Sequence, residues 1–400
     1  MLPRIRANLD FMPSPVEDRP GLLIRDPFQY SGATLIIPPA LVGALEFLDG
    51  EHSELDLRAY LVRLSGDLQV SELQNHLLDA LSSAGFLDDE KFAERKQAAE
   101  RAFAAAEVRE PAHAGSGYPE NPEELAKTLD VYLDGKAPAN GARALAIAAP
   151  HVSPFGGIEA YRAAYRALTP ADAERTFVIL GTSHYGAPDH FGLTRKPFVS
   201  PLGQTMTDIG FIDQFSAAAG DAAVMEDYCH AVEHSIEFQV VFLQHLFGPQ
   251  VRVVPILCGV YARSLYEGGM PDDSESVGRA LNALGEIAAR EGDRLCWVLG
   301  VDMAHMGRRY GDRFEAHADR GEMENVAQLD QARIQRMEAG DARGFWELIQ
   351  ENQDPLKWCG SAPIYTFLKA VPQARGNLLR YQQWNIDEHS VVSFAGMKFA

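Results

Sequence analysis

Apolar residues follow two different rhythms along this chain. Up to about residue 95 the spacing is mostly helical. LDLRAYLVRLSG and SELQNHLLDALSSAGFL repeat apolar residues at three- and four-residue intervals, and each closes near a glycine. PPALVGALEFLDG opens on prolines, ends at Gly50 and predicts another helix. Ser71 stands where a cap is expected for the last of the three. Ahead of them, RDPFQYSGATLIIPP alternates polar and apolar residues around Ser31 and Gly32, the pattern of a hairpin. A hairpin with three helices predicts a small winged-helix-like α+β domain over residues 1–95.

Residues 88–110 are charged and alanine-rich, with opposite charges at helical spacing, and read as an exposed helix. PAHAGSGYPENP is turn-rich, and the domain boundary is expected there. A helical and turn-rich linker is therefore predicted over 96–139, with a second domain over 140–400. In that second domain the rhythm changes. ALAIAAP, TFVILGTSH, VRVVPILCGV and RLCWVLGVDMAH are short apolar runs that end in polar or glycine-containing turns, and each reads as a buried strand. GIEAYRAAYRAL, EHSIEFQVVFLQHLF and SESVGRALNALGEIAARE read as helices between them. NLLRYQQWN and SVVSFAGMKFA supply two closing strands. The alternation predicts an α/β fold with a central mixed, largely parallel sheet flanked by helices.

Chemistry gathers at the ends of those strands, where open α/β sheets bind their ligands. ALAIAAP runs into His151, TFVILGTS into His184 and WVLGVDMA into His305, with Asp302 three residues before His305. Cys359 lies in KWCGSAPIY just before a helical run, where a thiol pKa is lowered. His151, His184 and Cys359 make a three-ligand set for a transition metal; iron, copper and zinc all suit nitrogen and sulfur ligands. His305 is then free to act as a general acid or base, and Asp302 to orient an imidazole. The structural alternatives are a strand-end histidine bonded to loop backbone, Asp302 as a helix cap and Cys359 as an apolar filler.

EHSIEFQ is the other dense cluster. On one helix Glu233 and Glu237 would share a face, and carboxylates in a first turn also favour the helix dipole. His234 and Glu233 are expected at the pocket rim, His234 in a catalytic role, and Glu237 in a structural one. PFVSPLGQTMTD reads as an extended flap with a turn. His113, His190, His245 and His317 stand outside these clusters and read as surface residues. No GxGxxG follows a strand and no GxxxxGK[ST] occurs, so nucleotide binding is not supported.

Charge and cysteine usage narrow the class. The chain has 36 basic and 56 acidic residues, a net charge of −20 that argues against nucleic acid as a partner. It has no bilayer-length apolar run and no secretory h-region at its start, so no membrane partner and a cytoplasmic location are expected. The four cysteines form no CxxC pair and read as thiols in a reducing compartment.

APHVSPFGG, ILGTSHYG, EHSIEFQ, GVDMAHMGRRYG and WCGSAPIY occur in the order and rough spacing of one family. On these motifs residues 140–400 resemble the Memo family, whose bacterial and archaeal members are called AmmeMemoRadiSam system protein B. The resemblance implies a fold similar to class III, LigB-type non-haem iron dioxygenases, with the site at one sheet edge. It also implies a two-histidine, one-cysteine metal site at His151, His184 and Cys359. Asp302 and His305 match the other pocket residues, with His305 at the dioxygenase acid/base position. Iron is the first metal the resemblance implies and copper the second, with redox activity on a small molecule or peptide side chain. The family's APHAGY is APHVSP here and its DFCHWG is DMAHMG, so the pocket lining differs while the matched side chains are kept.

RDPFQYSG, ALEFLDG and LLDALSSAGFL resemble a PqqD-type winged helix, which implies recognition of a peptide by strand addition. Three functions are open at this point. One is a metal-dependent redox enzyme. Another is a non-catalytic metal-binding or peptide-recognition scaffold for a radical-SAM partner. The last is a cysteine hydrolase with Cys359 as nucleophile and His305 as base.

Overall fold

The computed structural model describes residues 1–16, 18–134 and 143–400. The expected boundary between residues 139 and 140 lies outside the described residues. The chain divides into two compact units, residues 1–105 and 106–400.

In the first unit, strands β1 (Asp10–Pro13), β2 (Leu22–Arg25) and β3 (Thr34–Ile37) form an antiparallel sheet in that order. The hairpin read from the sequence is β2–β3, with Arg25 opposite Thr34. β1 adds a third strand that the alternation did not announce. Helices Glu54–Ser65 and Ser71–Ser83 form as the periodicity predicts. The first is capped reciprocally by Ser53 and Asp56 and ends at Gly66 in the left-handed region. Ser71 does not cap the second helix; it is already its first residue, after Val70. Pro39–Phe47 winds as a 3₁₀ helix, with Gly43 pressed against the Tyr60 hydroxyl where no Cβ fits.

The second unit is built on strands β4 (Ala146–Ala149), β5 (Thr176–Thr182), β6 (Phe191–Leu193), β7 (Val199–Ser200), β8 (Gly203–Gln204), β9 (Met206–Thr207), β10 (Ala223–Met225), β11 (Arg252–Cys258), β12 (Leu295–Gly300), β13 (His305–Gly307), β14 (Gly376–Asp387) and β15 (Ser390–Phe399). The large sheet runs β10-β6-β11-β5-β12-β4-β15-β13, with β14 on β15 and β9 on β11. Its centre, β11-β5-β12-β4, is parallel, while β15, β13 and β14 pair antiparallel. The sheet is thus mixed, with the parallel centre that the apolar runs require. β7 and β8 form the small hairpin expected in PFVSPLGQTMTD.

Alternate residues of the central strands face two buried layers. Val178, Leu180, Trp297 and Leu299 meet helices Ile209–Ala219, Glu275–Glu291 and Ser361–Ala370. Phe177, Ile179, Cys296 and Val298 meet helices Pro122–Leu133, Ile158–Tyr165 and Glu237–Phe247. Burial on both faces is why these strands read as unbroken apolar runs. Among the described residues no helix is long and apolar enough to cross a membrane.

Candidate metal centre

Register brings the polar residues together. Gly300 of β12 lies opposite Ala149 of β4 and opposite Gly181 of β5. Two residues beyond that level stand His151 and Asp302, and three beyond stands His184, all at the carboxyl ends of adjacent parallel strands. The two glycines admit a crossing segment. A Cβ on Gly300 would collide with the Ser235 carbonyl, and one on Gly181 with its hydroxyl. Residues 233–236 therefore sit against the strand ends and carry Glu233 and His234 into the site.

The sequence predicted a helix through Glu233. Instead the helix begins at Glu237, and Glu233 has extended backbone at φ −75° and ψ 139°. Glu233 is not at a rim. It is buried, and its carboxylate accepts N–H bonds from the backbones of His184 (2.9 Å), His234 (2.8 Å) and Ser235 (3.2 Å). It also lies 3.0 Å from His184 Nδ1 and 3.1 Å from His234 Nδ1.

Each imidazole is thereby fixed by its Nδ1 side. His151 Nδ1 lies 2.9 Å from the Gly300 carbonyl oxygen, which can only accept, so Nδ1 carries the proton. The His151 backbone N–H donates to Asp302 Oδ1 at 3.0 Å. With Nδ1 engaged on all three rings, the ring nitrogen left for a ligand bond is Nε2. His151, His184 and His234 each bring one ligand atom into a group lying within 4.8 Å of one another. Their ring centroids are 4.9 to 5.1 Å apart, and the His184 and His234 rings are stacked. His151 is buried, whereas 27% and 26% of the His184 and His234 side chains stay open to solvent. This is a ready donor set for a transition metal, with its outer hydrogen bonds in place.

Cys359 approaches from the loop before helix Ser361–Ala370. Its Sγ is 3.2 Å from His151 Nε2 and 3.7 Å from the Asp302 carbonyl oxygen. Gly360 lets it come close: a Cβ there would stand 2.6 Å from that same carbonyl oxygen. His234, expected as a catalytic residue, stands inside the imidazole group. Cys359, expected as a ligand, touches His151 at the edge of that group. His305 begins β13, apart from the three rings, with Nδ1 held by the Met303 and Lys357 carbonyls at 2.9 and 3.1 Å. Its ring stands edge-on to Tyr310, with centroids 5.0 Å apart.

Electrostatics bind these groups into one unit. Burial alone would lower the His151 pKa, but the Asp302 carboxylate and the Cys359 sulfur overcome it and hold the ring up at about 9. Burial likewise opposes charge on His184, and Glu233 with Cys359 pushes that pKa well above the ordinary value. His234 shares the same carboxylate as a second claimant. Burial, with the neighbouring His184 and His151, leaves it down at about 4. Burial would raise the Cys359 thiol, but His151 and His305 pull it down to about 5. Without metal, then, each shift favours a thiolate on Cys359 beside an imidazolium on His151.

The other three thiols are pushed up by burial, Cys258 and Cys296 to about 12 and Cys229 further still. A prediction follows for chelator-treated protein. Iodoacetamide should label Cys359 alone, with a rate that rises through about pH 5 and is flat by neutrality, as read by peptide mass spectrometry. Labelling that rises only near the ordinary thiol range would contradict the ion pair.

His113 was read as a surface residue, and here the structure corrects the sequence. Its ring packs 5.6 Å from that of His234 and 5.7 Å from that of Phe238, with Nε2 held by the Val232 carbonyl. Glu237 lies behind the site, where it pairs with buried Arg109.

A model of Memo-like proteins matches residues 109–398. A MEMO1 family protein of Aquifex aeolicus (strain VF5) is 26% identical over 403 residues, spanning 100% of both chains. One from Thermococcus kodakarensis is 32% identical over 311 residues, covering 73% of this chain and 99% of that relative. One from Pyrococcus abyssi is 31% identical over 270 residues, covering 64% and 85%. The Aquifex match runs through the first unit as well.

Proposed function

The chain belongs to the Memo-like protein family, and from that premise we propose that its second unit binds a transition metal for redox chemistry on a small molecule or peptide side chain. The observation that carries the reading is the group of three imidazoles, each held at Nδ1 and each with one ligand atom within 4.8 Å of the others. His151 and His184 hold the metal, completed by His234 or by Cys359. Iron comes first on the family resemblance, then copper, since both supply a redox couple when bound and zinc supplies only a Lewis acid.

The surrounding residues have separate tasks. Glu233 fixes two of the rings, and Asp302 fixes His151 through its backbone N–H. His305 keeps its Nδ1 proton between two carbonyls, which leaves Nε2 to accept or return a proton. The family's likeness to LigB-type dioxygenases supports this division of labour.

A second reading makes the protein a scaffold within an AmmeMemoRadiSam-type system, handing a peptide to a radical-SAM partner. Its support is the PqqD-like first unit, where β1 and β3 each pair only with β2 among the described residues. Such edges suit strand addition. The Cys359–His151 contact favours a third reading, a cysteine hydrolase, which predicts a trapped acyl-cysteine.

The test is elemental analysis and iron, copper and zinc titration of protein purified without a metal-binding tag. About one tightly held ion per chain is expected. Cys359→Ala then distinguishes the donor sets: metal is retained if three imidazoles suffice and lost if the sulfur is required. A chain that takes up none of these metals removes the metal reading.

A further inference from the structure

Helix Glu322–Ala339 carries Asp330, whose side chain is fully buried. It accepts from Trp358 Nε1 at 2.7 Å on one oxygen, and from Tyr381 Oη at 2.7 Å and Ser393 Oγ at 2.6 Å on the other. With Asp330 ionised it can only accept, and its partners are placed to donate. An indole N–H only donates. Gln383 Nε2 donates to the Tyr381 oxygen at 3.0 Å and the Ala304 N–H to Ser393 Oγ at 2.9 Å, which leaves each hydroxyl proton for the carboxylate.

Trp358 adjoins Cys359 in the chain, and Ala304 adjoins His305. A single carboxylate therefore reaches both arms of the site. The arms are also laced to each other, Gly360 N–H to the Asp302 carbonyl at 3.1 Å and His305 N–H to the Leu356 carbonyl at 2.9 Å. The Cys359 arm needs restraint. Asn352, Gln353, Asp354 and Lys357 all have positive φ, between 53° and 59°. Side chains rarely adopt that backbone unless their surroundings hold it. Arg333, on the same helix as Asp330, pairs with Asp354 at 2.7 Å and lies 5.2 Å from the Trp358 ring centroid.

We propose that Asp330 is a positioning residue, which holds the Cys359 arm through Trp358 and the His305 arm through Ser393 in fixed register. What that register serves rests on the metal-centre reading; the register itself does not. Asn at 330 keeps one acceptor oxygen and sets an amide N–H₂ against either the indole N–H or the two hydroxyls, so at least one of the three bonds to the carboxylate is lost or must reverse.

The test is hydrogen–deuterium exchange by mass spectrometry on the full-length, chelator-treated chain. Asp330→Asn should speed exchange about tenfold in both 352–362 and 301–308, roughly the effect of one lost net hydrogen bond, with the rest unchanged. Trp358→Phe should loosen only 352–362, and Ser393→Ala only 301–308. In the cobalt-loaded chain, Asp330→Asn should also weaken the thiolate-to-cobalt charge-transfer band if Cys359 is a ligand. No change in exchange, or a uniform change along the chain, overturns the proposal. If Asp330→Asn does not fold, Trp358→Phe and Ser393→Ala decide, and failure of either to act on its own arm overturns it. The exchange measurements need no metal. An unaltered chain that takes up no iron, copper or zinc therefore overturns the metal reading alone.

Discussion

His151→Ala is expected to weaken metal binding by at least about 100-fold while leaving the fold intact. His151 is the imidazole common to both candidate donor sets, with His234 or with Cys359 as the third member. It is also the least free to be replaced. It is buried, its Nδ1–H is committed to Gly300 and its backbone to Asp302, so its ring is held in one orientation towards the other two. Competition against a chelator of known affinity measures the loss, and a thermal melt checks the fold. Glu233→Ala should be milder, about 10- to 100-fold, because it frees two rings from their orientation without removing either.

A pH series gives the effect a sign. Metal must displace the proton that the thiolate–carboxylate surroundings keep on His151 up to about pH 9. Apparent affinity in the unaltered chain should therefore rise with pH towards 9, with that component missing in His151→Ala. Equal affinity in the variant and the unaltered chain would sink the centre as drawn.

What was legible beforehand, and what was not, follows from sequence distance. His151, His184, Asp302 and His305 could be read because each follows a buried apolar run, and parallel strands put such ends side by side. Helical periodicity misplaced Glu233 because it cannot register a turn forced by a tertiary contact. Gly181 and Gly300 open the space into which residues 233–236 fold, and nothing local announces it. Arg109, His113 and Asp330 act across 28 to 128 residues of chain. Their partners are set by packing, and a lone charged or aromatic residue in a mixed segment carries no mark of it. The Ser71 cap failed in a smaller way: Val70 takes the cap position, and the helix starts on the serine itself.

Glu237→Ala is expected to be the most destabilising single change behind the site, by about 3–5 kcal/mol. The carboxylate and Arg109 are both buried, and they pair directly. Glu237 also accepts from the backbones of Ala112 (3.1 Å) and His113 (3.0 Å) and from the Tyr118 hydroxyl (2.5 Å). Removing it strands a guanidinium and three donors at once. The guanidinium keeps the His230 and Glu233 carbonyls at 2.7 and 2.8 Å, which limits the damage but cannot neutralise the charge. The melting temperature of the second unit should fall by roughly 10 °C.

Burial raises the Glu237 pKa, and Arg109, His113 and Tyr118 more than reverse it, so the net shift is downward. The carboxylate's contribution is therefore complete above its unfolded pKa and is lost only as pH falls through the folded one. The variant and the unaltered chain should differ fully at neutral pH and converge in acid. The pair Arg109→Met/Glu237→Leu should recover only the part of the loss that comes from the buried charge, since the three donors stay unpaired. A Glu237→Ala melt within about 2 °C of the unaltered chain would mean that water reaches Arg109. The segment that carries His113 to His234 would then not be clamped as the hydrogen bonds require.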